Sequence, residues 1–422
     1  MNDEQPVVKG HMVVTNDVIT YIGEAEPPQH LLEQNVEQIS GAKQAFMPGL
    51  INTHGHTPMT LLRGFSDDQN LQVWLSEKMW PMEAKYTAED TKNGAALAQV
   101  EMLLSGTTTF VDMYDRMELV AEITEYSGMR GMLTRGVIGL CSEEEQKQKL
   151  QNAISFARDW NGKAGGRIST MLAPHAPYTC PPAYIEQFVQ AARDYNLPLH
   201  THMSESIAEV EQNVKDYGAR PVEHLDRLGF FSCPTLLAHA VHLTDEEIAL
   251  LAARDVAISH NPISNLKLAS GVARLPQLLK AGMRVSLGTD GPASNNNLDL
   301  FEEIRFAALL HKGVSYDPTV IPASEALKLG TIYGARSLWK DEQIGSLEAG
   351  KKADFIALNI DQAHFYPMTD IVSHLVYSAS GKDVLHVWID GKQLVRNREC
   401  LLLDEEKIKF EAEASFKRMI SQ

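Results

Sequence analysis

Six stretches of this chain carry residues that can do metal chemistry. His54 and His56 stand two apart in PGLINTHGH, and His175 closes LAPH. His200, His202 and Glu205 fall in LPLHTHMSE, His239 in LLAHAV, His260 in VAISH, and Asp290 in LGTD. Imidazole nitrogen and carboxylate oxygen are good zinc ligands, and a catalytic zinc keeps one position open for water. The ion lowers the pKa of that water towards neutrality. A nearby carboxylate must then carry protons between water, ring nitrogen and leaving group. Side chains two apart on a strand share a face, so His54 and His56 can point at one ion. The same rule puts His200 and His202 on one face, and spacing alone does not choose between them. A lone histidine is ordinarily a hydrogen-bonding or surface residue, so HxH by itself is weak. HxH, HxxE, a further His and an Asp, each at the end of a different strand, form a strong set. His242, in HLTDEEI, lies in the approach to a helix and is read as structural. Met59, Met79 and Met82 are read as pocket lining or packing.

The elements that must hold these residues alternate. The strand candidates are FMPGLINTH, TTTFVDM (107–113), RGMLTRGV (130–137), ISTMLAPH, LPLHTHMSE, TLLAHAV, DVAISH and RVSLGTD, the last ending at Asp290. Helical stretches separate most of them. TAEDTKNGAALAQVEMLLSG has apolar residues at helical spacing and a glycine stop. TDEEIALLAARD opens on Thr244 as N-cap, with Glu247 completing a capping box. Eight such units predict an α/β fold, a (β/α)8 TIM barrel with its reactive groups at the C-terminal strand ends. Both chain ends read differently, as short strands with turns, and Asp390-Gly391 signals a hairpin. We therefore expect a barrel over 48–345 and a small β-sandwich domain built from 1–47 plus 346–422.

Composition narrows the partners. With 38 basic against 55 acidic residues the formal charge is −17, a poor surface for a phosphate backbone, so nucleic acid is not expected. Cys141, Cys180, Cys233 and Cys400 form no CxxC pair. That disfavours a disulfide framework or thiolate zinc and fits a reducing cytoplasm. The N-terminus has no signal-peptide pattern, and no apolar run is long enough for a membrane span.

The segments PGLINTHGH, HTHMSE, LLAHAVH, SHNPISNLKLASG and LGTDGPASNNNLDLFEE resemble the amidohydrolase superfamily. More narrowly, they resemble its branch of 5′-methylthioadenosine/S-adenosylhomocysteine deaminases and chlorohydrolase-like enzymes, over about residues 10–400. The resemblance implies one divalent ion, usually zinc with Fe2+ or Mn2+ as alternatives, held by His54, His56, His202 and Asp290. It makes Glu205 the proton shuttle, His239 the group that polarises water, and Asp290 also the acceptor of the water's proton. No strand-end lysine occupies the place where binuclear relatives carry a carbamate bridge. LLRGFSDDQNLQVWLSEKMWPMEAKYT resembles the family's substrate-covering loop, in which Glu83 would accept hydrogen bonds from ribose hydroxyls. Arg135 and His175 match substrate-contacting positions, and Trp74 and Trp80 either cover the ligand or pack the loop. The implied reaction is hydrolytic deamination of adenosine thioethers, or adenosine, to the inosine derivative and ammonia. The implied protein is a homo-oligomer. Alternatives are action on another aromatic ring, such as guanine or a triazine, and a non-catalytic scaffold. Two departures stand out: the family has an extra strand ahead of MNDEQ, leaving the small domain one strand short, and CSEEEQKQKLQ lacks a second arginine that some relatives carry.

Overall fold

The computed structural model describes residues 6–32 and 36–422, so the MNDEQ segment lies outside the described residues. Eight parallel strand segments follow one another: Leu50–Asn52, Thr107–Tyr114, Arg130–Val137, Ile168–Thr170 (continued by Ala173–Pro174), Leu199–Met203, Thr235–His239, Val256–His260 and Arg284–Leu287. They pair in chain order as two parallel runs, the first four and the last four. Two seams join the runs. Leu172 bridges to Leu199 in parallel fashion, and the Thr53 amide donates to the Leu287 carbonyl at 3.0 Å. The sheet thus curls round to meet its first strand, as a TIM barrel does.

The strands are buried on both faces because helices cover one face and the barrel interior the other. Ile51, Val111, Met132, Leu236 and Ala257, from five different strands, and Met171, from the link inside the fourth, form one internal cluster with Ala335, Leu338 and Ile344. Leu50, Phe110, Leu133, Leu199, Leu237 and Ile258 belong instead to the larger cluster shared with the helices. Both helix expectations hold. Thr87 caps Ala88–Leu104 in a capping box with Asp90, and Thr244 caps Asp245–Ala252 in one with Glu247.

Two expectations need correction. FMPGLINTH is not one strand but two. Gln44–Pro48 pairs antiparallel with Phe355–Asn359, whereas Leu50–Asn52 pairs with Thr107–Tyr114. The switch falls at Gly49, where a Cβ would sit 2.1 Å from the Thr108 hydroxyl, so only glycine lets the chain pass. The last barrel strand ends at Leu287 and not at Asp290. Asp290 lies on the following loop with φ of 61°, its amide donating to the His54 carbonyl at 3.0 Å.

Segments from both ends meet. The order Glu399–Cys400, Lys392–Arg396, Val384–Ile389, Phe355–Asn359, Gln44–Pro48 makes a five-stranded antiparallel sheet. Asp390-Gly391 forms its predicted two-residue turn, with φ of 48° and 71°. The hairpin His11–Thr15/Val18–Gly23 packs Ile19 into a cluster with Phe355, Ala357 and Trp388. Arg130, on the third barrel strand, is buried between Asp354 and Asp390 and ties this sheet to the barrel, with Nε to Asp354 at 2.8 Å and Nη2 to Asp390 at 2.6 Å.

The last helix, Glu405–Ile420, leaves the small sheet and lies along Ala88–Leu104 and the turn Thr57–Leu62. No helix among the described residues is long and apolar enough to cross a membrane.

Candidate active site

Hydrogen-bond partners fix the protonation of three imidazoles. His56 Nδ1 faces the Met113 carbonyl at 2.6 Å and His202 Nδ1 faces the His175 carbonyl at 2.8 Å. Carbonyls only accept, so each Nδ1 carries the hydrogen and each Nε2 a lone pair in the neutral ring. His200 Nδ1 faces the Leu236 carbonyl at 2.8 Å, so His200 Nε2 accepts from His54 Nδ1 at 3.0 Å. His54 Nε2 is then also a lone pair, and this buried atom has no hydrogen-bond partner. His200 is thus a support behind His54, which resolves the choice that spacing left open.

The three lone pairs converge with a carboxylate. His54 Nε2 and His56 Nε2 lie 3.4 and 3.2 Å from Asp290 Oδ1, and His202 Nε2 lies 3.3 Å from His56 Nε2. In neutral rings two lone pairs would face each other at that range, a contact that either a proton or a metal cation between them relieves. Ligands bound at about 2.1 Å in a tetrahedron stand about 3.4 Å apart, so the spacing fits a divalent ion. His54, His56 and Asp290 form one cluster able to hold a metal; His54, His202 and His239 form another.

Electrostatics makes the same demand for positive charge. Burial pulls the His56 imidazole down, but Asp290 outweighs it and lifts His56 to about 9. Burial prevails at His54 and His202, holding both well below the usual histidine range. Asp290 stays well below the usual carboxylate range against burial, because the imidazoles of His54 and His56 lie against it. Its second oxygen accepts from Ser264 at 2.6 Å and Ser294 at 2.8 Å. Those two serines, in SHNPISNLK and TDGPASNN, were not singled out in the sequence.

Glu205 and His239 sit beside this cluster. Glu205 is buried, which pushes its carboxyl up, and it lies 3.6 Å from His239 Nε2. His239 Nδ1 is held by the Asn265 side-chain oxygen at 2.8 Å. Three backbone turns here are left-handed at non-glycine residues: Ser204 (φ 52°), His239 (φ 72°) and Asp290 (φ 61°). Such residues are uncommon and gather where side chains must be aimed.

A cavity enclosing about 1140 Å³, mouth included, opens over these residues and is lined by His56, His175, His202, Glu205, His239 and Asp290. Glu83 lines it too, with Tyr114, whose hydroxyl donates to Glu83 at 2.5 Å. Burial raises the Glu83 carboxyl, and the Tyr114 hydrogen bond works against that. Trp74, Trp80, Met59, Leu75, Tyr86 and Leu268 supply apolar wall. Burial also pushes His175 down to about 3, keeping it neutral, with Nδ1 against Thr179 at 3.0 Å.

Arg135 is not brought to this wall. Its guanidinium is taken up by Asp115 at 2.7 Å and Glu118 at 2.8 Å, while its neighbours Tyr114, Asp115, Arg116 and Gly136 do line the cavity. His242 bonds the Ser270 carbonyl at 2.6 Å, a structural role. Met79 and Met82 pack with Trp74 in the cluster beneath the loop.

Residues 45–394 match the amidohydrolase family. A 5-methylthioadenosine/S-adenosylhomocysteine deaminase from Halalkalibacterium halodurans is 48% identical over 99% of this chain and 95% of its own length. One from Thermoanaerobacter pseudethanolicus is 46% identical over 100% and 97%. The solved structure of an adenosine deaminase from Xanthomonas campestris with bound zinc superposes with a TM-score of 0.92 at 36% identity, covering 97% of this chain and 94% of that one. With its fold, its histidine cluster and these relatives in agreement, the chain belongs to the amidohydrolase family and groups there with the 5-methylthioadenosine/S-adenosylhomocysteine deaminases.

Proposed function

We propose that this chain is a metal-dependent aminohydrolase that deaminates adenosine thioethers, 5′-methylthioadenosine and S-adenosylhomocysteine, and adenosine itself. The observation that carries this reading is the convergence of His54 and His56 on Asp290, with His202 against His56, in a cavity that buried Glu205 and Glu83 also line. In this reading His54, His56, His202 and Asp290 hold one divalent ion, zinc by analogy with the zinc-bound neighbour. That ion supplies Lewis acidity, which makes water nucleophilic near neutral pH.

The protein's own groups do the rest. Ser264 and Ser294 hold one oxygen of Asp290, leaving the other free to bind and to take the water's proton. His239, fixed by Asn265, polarises the water. Glu205 delivers a proton to the ring nitrogen beside C6, and its raised pKa suits a carboxyl that must hold a proton and release it. Water would add across the C6=N1 double bond, its hydroxyl to C6 and a proton to N1; the exocyclic C6–N bond then breaks as the amino group takes the proton held by Asp290, so that ammonia leaves and, with loss of the C6 hydroxyl proton, the inosine derivative remains. Glu83 accepts from the ribose hydroxyls and His175 contacts substrate as a neutral ring, while Arg135 would reach it only by leaving Asp115. The substrate is a small nucleoside.

At the scale of domains, we read 48–345 as the barrel domain and 1–47 with 346–422 as a small β-sandwich module. The antiparallel pairing of Gln44–Pro48 with Phe355–Asn359 supports this.

Incubating zinc-loaded protein with methylthioadenosine, S-adenosylhomocysteine and adenosine, and measuring ammonia, tests the activity; silence on all three refutes it. Glu83→Ala should lower kcat/KM on nucleosides about 100-fold, as expected when a site loses its partner for a substrate hydroxyl. Unchanged nucleoside turnover in that variant would leave the ribose assignment without support and favour another aromatic ring.

A further inference from the structure

In a regular strand, residues three apart point to opposite faces. His202 and Glu205 nevertheless both line the cavity. The strand stops at Met203, Ser204 turns left-handed at φ 52°, and Glu205 comes back towards His202. That turn leaves two successive amides, of Ser204 and Glu205, without strand partners. Both are bound by one side chain: Glu209 Oε1 accepts from Ser204 N at 2.8 Å, and Glu209 Oε2 from Glu205 N at 2.7 Å.

Glu209 is the third residue of the helix Ile207–Tyr217, whose N-cap is Ser206. The molecule contains its own controls for what a carboxylate does there. Asp90 returns to the amide of its N-cap Thr87 at 2.6 Å, Glu145 to Ser142 at 3.0 Å, and Glu247 to Thr244 at 2.9 Å. Glu209 passes over its N-cap amide and takes the two before it. Its carboxyl is buried, as are those of Asp90 and Glu247, so what sets Glu209 apart is the pair of amides it takes and not its burial.

We propose that Glu209 is a positioning residue for the deamination: it clamps the left-handed turn that aims Glu205 into the cavity. This rests on the reading of Glu205 as proton carrier. A misplacement of about 1 Å in a catalytic group can cost about 100-fold in rate, and freeing two buried amides lets the turn relax by that much.

The test is a double-mutant cycle on the zinc-loaded enzyme with methylthioadenosine. Glu209→Ala should lower kcat about 100-fold with KM and bound zinc unchanged, and Glu209→Gln, which keeps one acceptor, should recover part of it. Glu205→Gln should lose turnover by about a thousandfold, and adding Glu209→Ala to it should cost little more, because both act on one step. Glu247→Ala, which loses a cap elsewhere, should lower stability and leave kcat as it was. Full kcat in Glu209→Ala beside an inactive Glu205→Gln overturns the inference alone. Loss of zinc in Glu209→Ala also overturns it, since Glu209 would then be supporting His202. Full activity in Glu205→Gln overturns the proposed function instead. If Glu209→Ala does not fold, Glu209→Gln decides: normal kcat in it overturns the inference.

Discussion

Glu83 is a residue on which two opposing effects act. Burial raises its carboxyl, whereas the Tyr114 hydroxyl at 2.5 Å favours the charged form and lowers it. A ribose acceptor must be ionised, so kcat/KM for nucleosides should fall as pH drops through an ionisation above the ordinary Glu range. Removing the hydroxyl in Tyr114→Phe removes the lowering effect, so that acid limb should move to higher pH. The same variant should lose about tenfold in kcat/KM at neutral pH, the scale of one hydrogen bond to a charged group. A pH–rate profile that does not move would separate Tyr114 from Glu83. Tyr114 also shows what is readable at this scale. His54, His56, Glu205, His239 and Asp290 stand out because few residue types bind metals and carry protons. The groups that orient them and Glu83 (Asn265, Ser264, Ser294 and Glu209, and Tyr114 for Glu83) are ordinary polar residues, distinguishable only by where the fold carries them. His200 and His202 were indistinguishable because a period of two puts both on one face; the Nε2 of each separates them, His200's being taken by His54 Nδ1 and His202's facing His56 Nε2.

Among the elements, the strands of the barrel were legible because burial on both faces leaves short apolar runs with few polar interruptions. Their ends were less so. RVSLGTD reads as one strand, yet the chain stops pairing at Leu287 and turns left-handed at Asp290, a choice made by the hydrogen bond to His54 and not by local preference. FMPGLINTH likewise hides a change of sheet at a single glycine. The tie between small sheet and barrel was not visible either, since Arg130, Asp354 and Asp390 are 224 and 260 residues apart. Arg130 is buried and answers both carboxylates. Arg130→Met should therefore strand two acidic groups and destabilise the protein by about 3–5 kcal/mol. Denaturation in urea would measure this, and kcat per folded molecule should be unchanged, because Arg130 does not line the active cavity. A shift under about 1 kcal/mol would mean that the pair is solvated and weak.

For the whole molecule, the proposed metal ligands come from both four-stranded runs: His54 and His56 follow the first strand, His202 lies near the end of the fifth and Asp290 follows the eighth. An ion that binds only this assembled arrangement stabilises it by mass action. Dialysis against a chelator should abolish turnover and lower the thermal midpoint, and zinc should restore both; a midpoint indifferent to chelator would contradict the ligand set. The final helix has a different kind of consequence. Ala412, Met419 and Phe416 pack under the loop that carries Trp74 and Met82, and Lys85 bonds the Met419 carbonyl at 2.9 Å. The loop's support is therefore made more than 300 residues after the loop itself, Lys85 and Met419 being 334 apart. On the ribosome, the barrel strands can pair as they emerge, but the cavity wall at Trp74 and Glu83 must wait for the last turns of the chain. A nascent chain stalled at Asp404 would have the barrel strands and the proposed metal ligands and still lack the helix that backs the loop carrying Trp74 and Glu83.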